Sequence, residues 1–260
     1  MANQTLKIVK IGGNVINNKT ELHAFLKDFA TLRGPKILVH GGGRKASEVS
    51  STMGLKPKMI NGRRVTDEAT VEIVTMVYAG LLNKNITAKL QSFGCNAMGL
   101  SGADANCILA HKRIVKDIDY GFAGDVDAIN SEIIDVLLKS NVTPVFCAIT
   151  HDKKGQLLNT NADTIASEVA VGMSDLYQTE LNFVFELKGV LENIDDKNSV
   201  ITEINSEKYE QLVEKGIIAD GMLPKMHNCF NSLEKGVHKV KIGDASLVKK
   251  TTKIYTTLSL

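Results

Sequence analysis

Apolar and polar positions follow two periods along this chain, and the change from one to the other marks its elements. Leu6 to Ile11 (LKIVKI) is a short apolar run that ends directly at Gly12-Gly13, which predicts a buried strand closing in a glycine turn. Leu22, Phe25, Leu26, Phe29 and Leu32 then recur at helical spacing, with Thr20 placed to cap that helix and Gly34-Pro35 placed to stop it. Lys36 to Val39 (KILV) predicts a second strand, which runs into His40-Gly41-Gly42-Gly43 before a helical pattern resumes near Arg44. This alternation predicts a parallel sheet covered by helices.

From Pro57 to Thr66 the chain is polar and basic, and Asn61-Gly62 predicts the turn of a β-hairpin. Helical spacing returns from Glu68 to about Gln91, followed by a strand at Ala97 to Leu100 and shorter strand-like pieces from Cys107 to about Val126. Asn141 to Ile149 (NVTPVFCAI) is almost continuously apolar, as for a strand buried on both faces. A helix from about Asn161 to Gly172 is expected to lead into a second lobe, in which Asn182 to Phe185 and Lys239 to Ile242 predict strands and Ser206 to Lys215 a helix ended by Gly216. Met222, Met226, Cys229, Phe230 and Leu233 fall on one helical stripe. Pro224 suits that helix only in its first turn, where the backbone N–H has no intrahelical partner.

Composition narrows the functional classes. The 260 residues carry 31 Lys and Arg against 29 Asp and Glu, a net charge of +2, so the basic excess of a nucleic-acid binder is absent. There is no Trp and aromatic residues make up 5%, which removes the stacking platforms that single-stranded nucleic acids need. Cys95, Cys107, Cys147 and Cys229 have neither metal-ligand nor disulfide-framework spacing and read as free thiols in a reducing compartment. No apolar run approaches the roughly 18 residues of a membrane span, and no signal-peptide pattern opens the chain. A cytoplasmic protein is expected.

The first chemical signal is the pair of glycine turns placed directly after strands. Backbone N–H groups in such turns, beside a helix start, suit phosphate oxygens. Lys10 sits at the end of its strand, the edge at which open α/β sheets bind ligands. Gly41-Gly42-Gly43-Arg44-Lys45-Ala46 formally matches the dinucleotide fingerprint of an oxidoreductase, but the following segment, Leu55 to Val65, is basic and turns at Asn61-Gly62, leaving no ribose-binding carboxylate. A Walker A loop is also absent.

Lys10-Ile11-Gly12-Gly13, His40-Gly41-Gly42-Gly43, Asn61-Gly62-Arg63-Arg64-Val65-Thr66, Asn159-Thr160-Asn161-Ala162-Asp163 and Asp220-Gly221-Met222-Leu223-Pro224-Lys225 occur in the order and at the approximate spacing of the acetylglutamate kinases. The chain therefore resembles that group of the amino acid kinase family across nearly its whole length. The resemblance implies an α/β fold: an αβα sandwich with a central, mainly parallel sheet and two lobes, residues 1–174 binding the N-acyl-glutamate acceptor and 175–260 binding ATP. It implies transfer of the terminal phosphate of MgATP to the side-chain carboxylate of an N-acyl-L-glutamate, in arginine biosynthesis. Lys10 and Lys225 would approach the phosphoryl group, with Gly13, Gly42 and Gly43 donating N–H groups and Gly12 beside them. Asp163 would hold the two lysines in place. Arg64 would grip the substrate α-carboxylate, with Asn159 as its partner and Asn161 lining the same pocket. No general base is required, because the acceptor carboxylate is ionised at neutral pH. Mg²⁺ would be carried mainly by the nucleotide and water.

Two departures from the family pattern stand out. Arg63 occupies a position that is commonly apolar, and a second arginine there suits an acidic acyl tail, so a succinyl rather than an acetyl group is an expectation open to test. Phe185-Glu186-Leu187-Lys188-Gly189 replaces a Thr/Ser-Asp-Val-x-Gly type segment, with Glu186 and Lys188 as substitute nucleotide contacts. The first strand begins within about ten residues of Met1, which under the same resemblance implies a homodimer without arginine feedback rather than an arginine-inhibited hexamer. The alternatives are carbamate, aspartate, glutamate 5- or uridylate kinases on the same scaffold, and a silent amino-acid sensor. Taken singly, Asp163 reads as a helix-start carboxylate, Lys225 as a solvated lysine and Arg63-Arg64 as hairpin cations. His40 reads as a residue that shapes its strand end.

Overall fold

The computed structural model describes residues 4–219, 222–249, 251–252 and 254–260. Asp220 and Gly221 of the fifth motif lie outside the described residues. The chain divides into two compact units: one is made from the chain up to Lys36 together with Ala166–Leu260, and the other from Ile37–Ile165.

The first unit opens with β1 (Thr5–Ile11), α1 (Gly13–Asn17) and α2 (Lys19–Ala30). The cap of α2 is Asn18 rather than Thr20: the Asn18 side chain accepts from the N–H groups of Thr20 and Glu21 at 3.1 and 3.2 Å. An amide oxygen two residues earlier reaches both orphan donors, which puts Thr20 already inside the first turn.

The second unit begins with β2 (Lys36–His40), α3 (Gly43–Thr52) and the hairpin β3 (Met59–Ile60) and β4 (Arg63–Arg64). The predicted Asn61-Gly62 turn has φ of 49° and 73°, the two left-handed positions of a primed turn. The single helix expected from Glu68 to Gln91 is α4 (Glu68–Thr75) and α5 (Asn83–Ser92), joined by a π-helical stretch at Met76–Leu82. There follow β5 (Ala97–Leu100), β6 (Ile108–Lys112), β7 (Ala123–Ile129), α6 (Ser131–Lys139), β8 (Thr143–Cys147), β9 (Ile149–His151) and β10 (Leu157–Thr160). β2, β8 and β5 pair in parallel, while β10, β7, β6 and β9 close a small barrel.

α7 (Ala162–Gly172) returns the chain to the first unit, which continues with β11 (Gln178–Val184), β12 (Glu203–Ile204), α8 (Ser206–Glu214), α9 (Leu223–Glu234), β13 (Lys239–Gly243) and β14 (Thr256–Leu258). β1 pairs in parallel with β11 and β11 with β13, and β14 runs antiparallel to β13. Contacts group β1 with β11, its parallel partner far along the chain, whereas the expected lobes follow chain order and meet at residue 174. The expected stripe of α9 is buried at Met226, Cys229, Phe230 and Leu233, and Pro224 lies in the first turn as its missing N–H requires. All four cysteines are buried. Among the described residues no helix is long and apolar enough to cross a membrane.

Candidate active site

In the first unit the register of the parallel strands sets Ile11, Val184 and Gly243 level with one another. Residues that leave this carboxyl edge line one cavity of about 380 Å³. Lys10, 8% exposed, contributes from the end of β1, and Lys225 from the first turn of α9. Their Nζ atoms lie 5.5 and 4.3 Å from the ring centroid of Phe185, so two lysines distant in the chain meet one aromatic ring. Phe183 stacks on Phe185 at 5.9 Å with 8° between the planes, and the Phe185 N–H donates to Gly243 O at 2.8 Å.

The two glycines of the first turn have different tasks. Gly12 spends its N–H on Val184 O at 3.2 Å, and a Cβ there would come within 3.3 Å of the same carbonyl. Gly13 begins α1, whose first-turn N–H groups have no intrahelical acceptor, and Gly13, Asn14 and Val15 line the cavity. The opposite wall is apolar, with Leu187, Val190, Met226 and Ile242. Glu186 lies on the wall, whereas Lys188 is exposed and absent from it, because Leu187 and Gly189 take the inward positions of that loop.

In the second unit, β2 and β8 end together at His40 and Cys147, and Gly41 to Gly43 and Ala148 follow on the wall of a cavity of about 210 Å³. Gly42 caps α3, and a Cβ on it would collide with Leu82 Cδ1 and lie 2.8 Å from Tyr78 Cδ1. Tyr78 and Leu82 belong to the π-helical stretch, so that insertion brings side chains against the glycine turn. Such single-turn insertions recur at functional sites.

Arg64 is 7% exposed, and its Nη2 donates to Gly43 O at 2.8 Å and to Ser47 Oγ at 2.7 Å. Its Nη1 is buried with no hydrogen-bond partner among the described residues. A buried guanidinium nitrogen left open at a cavity wall is a ready-made carboxylate donor. Burial pushes the Tyr78 phenol up, opposed by the Arg64 guanidinium beside it. Asn159 lines the same cavity and donates from Nδ2 to Thr66 Oγ1 at 3.0 Å. Asn161 is also on the wall, but its side-chain oxygen accepts from the N–H groups of Asp163 and Thr164 at 2.7 and 3.2 Å. It thus starts α7 and places Asp163 in the first turn.

Arg63 is exposed and lines this cavity together with Arg113. His40 is fully buried: Nδ1 donates to Gly41 O at 2.8 Å, and Nε2 accepts from Asn83 Nδ2 at 3.1 Å. An amide nitrogen only donates, so the ring is the neutral Nδ1–H tautomer, and burial pushes its pKa down to about 4. His40 orders the turn and moves no proton.

Residues 5–244 match the sequence profile of the Amino acid kinase family. The chain belongs to the amino acid kinase family. Within it, the chain is 53% identical over 248 residues to the acetylglutamate kinase of Cytophaga hutchinsonii, covering 95% of this chain and 94% of that one. It is 47% identical over 246 residues to the acetylglutamate kinase of Bacteroides thetaiotaomicron, covering 95% and 96%. The carbamate kinase structure of Giardia superimposes with a TM-score of 0.68 at 14% identity, covering 100% and 99% of the two chains, a likeness of fold. The amino acid kinase fold therefore accounts for both units. The sequence does not mark Phe185 or Tyr78 as site residues: Tyr78 sits within the apolar stretch MVYAGLL, and beside Phe185 the charged Glu186 and Lys188 are the residues that draw notice.

Proposed function

We propose that this protein is an ATP-dependent kinase that phosphorylates the γ-carboxylate of N-acetyl-L-glutamate or a close N-acyl-L-glutamate, in arginine biosynthesis. The observation that carries the reading is the convergence of Lys10 and Lys225 on one ring, beside the open first turn of α1. Two ammonium groups so placed suit the spread negative charge of a phosphoryl group in transit. The apolar wall of Leu187, Val190, Met226 and Ile242 suits a purine, so a nucleotide fits the first unit.

The acceptor falls to the second unit. Arg64 Nη1 takes the α-carboxylate, Asn159 is its partner, and Gly42 and Gly43 let the γ-carboxylate approach the start of α3. The ionised carboxylate is itself the nucleophile, and no proton needs to be removed. Asp163 orients the two lysines. Mg²⁺ would enter with the nucleotide, would offset its phosphate charge and would need no protein cage. The enzyme acts in the cytoplasm as a homodimer.

Incubation with MgATP, hydroxylamine and a panel of glutamate derivatives tests the reading: an acyl hydroxamate forms from an N-acyl-glutamate and is lost in Lys10→Met and Lys225→Met. Hydroxamate from free glutamate or aspartate but not from N-acyl-glutamate would refute it.

One observation favours a succinyl acyl group. The acceptor cavity is lined by Arg63, Arg64 and Arg113 and by no carboxylate. Arg113 is bound by Asp125 through Nε at 3.0 and 3.2 Å, whereas Arg63 has no ion pair among the described residues. Arg63 and Arg113 are also walls of an adjoining cavity of about 490 Å³. That cavity is also lined by Lys116, Asp117 and Asp125, the last held by Arg113, and an acyl tail ending in a carboxylate would reach Arg63 at the join of the two cavities. Comparing kcat/KM on N-acetyl-, N-succinyl- and the uncharged N-succinamyl-glutamate tests this, and equal use of the three would discard it while leaving the kinase reading intact.

A further inference from the structure

The lysine pair raises a physical difficulty. Two ammonium groups directed at one point repel each other, and lysine side chains carry much rotamer freedom. Catalysis by positioning requires that both be in place when the phosphoryl group arrives. In this chain both Nζ atoms lie within cation–π range of the same ring, Phe185, at 5.5 and 4.3 Å.

That ring is itself held from several directions. Phe183 lies near the end of β11 and Phe185 is the first residue beyond it, and their rings stack at 5.9 Å and 8°. Phe183 is 3% exposed and is the register partner of Lys10 across β1 and β11. The Phe185 backbone is tied to Gly243 O at 2.8 Å, at the level where β13 ends. The ring therefore stands on the edge of the sheet as a fixed part and not as a loop side chain. It also occupies the wall of the cavity and is only half-buried, so its face is open to the site.

We propose that Phe185 is a positioning residue for phosphoryl transfer: the negative face of its ring gathers the Lys10 and Lys225 ammonium groups and holds them ready for the phosphate of the nucleotide. The inference rests on the kinase reading above and adds a component to it. The ring supplies by its quadrupole the local negative potential that a small polar side chain cannot supply across so wide a span.

The test separates charge from shape. Phe185→Leu keeps an apolar side chain of similar bulk and lowers kcat by about 10- to 100-fold, each lost cation–π contact being worth roughly 3- to 30-fold. Phe185→Tyr and Phe185→Trp, which keep the ring face, restore most of it. Replacement of Phe185 by mono-, di- and trifluorophenylalanine, which withdraw charge from the ring face at nearly constant shape, lowers kcat in steps, with the acceptor KM unmoved. A flat fluorination series, or full turnover in Phe185→Leu, overturns the proposal even if that variant is less stable. Loss of the hydroxamate product from the unmodified protein would strike the kinase reading instead, so the two failures are distinguishable.

Discussion

Replacing Arg64 by Lys keeps the positive charge and removes the fork. In the present structure Nη2 is committed to Gly43 O and Ser47 Oγ, at 2.8 and 2.7 Å, while Nη1 is buried and unpaired among the described residues. The ammonium of a lysine can take over the contacts of Nη2, but it offers no second nitrogen in the plane of a carboxylate. The loss is therefore one charge-assisted hydrogen bond, about 1.5–3 kcal/mol, or roughly 10- to 150-fold in affinity. Because the α-carboxylate is not the reacting group, this binding is equal in ground and transition states, so the acceptor KM rises by that factor while kcat at saturation changes little. The unliganded fold loses no partner of Nη1, and thermal unfolding should stay within a few degrees of the parent protein. Initial rates over a matrix of acceptor and ATP concentrations provide the measurement. A folded Arg64→Lys protein with an unchanged acceptor KM, or one whose KM rises for ATP instead, would refute the assignment.

Three further outcomes are expected. Gly42→Ala places a methyl group against Leu82 and Tyr78 and should cost about 1–3 kcal/mol in urea unfolding together with most of the activity, and Leu82→Ala in the same chain should recover the stability. His40 is buried and neutral, with its pKa lowered from 6.5 to about 4, so the unfolded chain binds a proton that the folded chain refuses as pH falls. Stability is full above pH 6.5 and is lost progressively down to about pH 4; between pH 7 and 5 urea titration should show a loss of about 2 kcal/mol that His40→Gln makes smaller. Asp163→Asn should lower kcat with little change in either KM, and a normal kcat would remove its role in orienting the lysines.

Much of this architecture can be read in the sequence because the local signals and the tertiary demands agree. Gly12-Gly13 and Gly41 to Gly43 follow apolar runs and do lie at the ends of parallel strands, and Asn61-Gly62 does form the hairpin turn. The small barrel was not legible. β9 and β10 have only three and four residues, too few to show a period, and β10 pairs with β7 more than thirty residues away. The π-helical stretch was hidden because MVYAGLL continues the apolar pattern of α4 without a break. Chain order likewise holds no information about the pairing of β1 with β11, a strand encoded so much later. At the site, Arg64 was marked by its charge in a turn, whereas Phe185 carries no such mark. An aromatic ring acts here through what converges on it, and convergence is a property of the fold.

The insertion of one unit into the other also governs how the chain leaves the ribosome. Thr5 must wait for Gln178, so about 170 residues emerge first, which at common synthesis rates takes roughly 10–35 s. During that interval Ile37–Ile165 has all of its own strands and can complete itself, while the edge of β1 that pairs with β11 waits for its partner. The nascent chain thus carries one open strand edge, along Leu6 to Ile11, until the far later β11 has been made, and an open edge of this kind is where a growing chain is most prone to mispair.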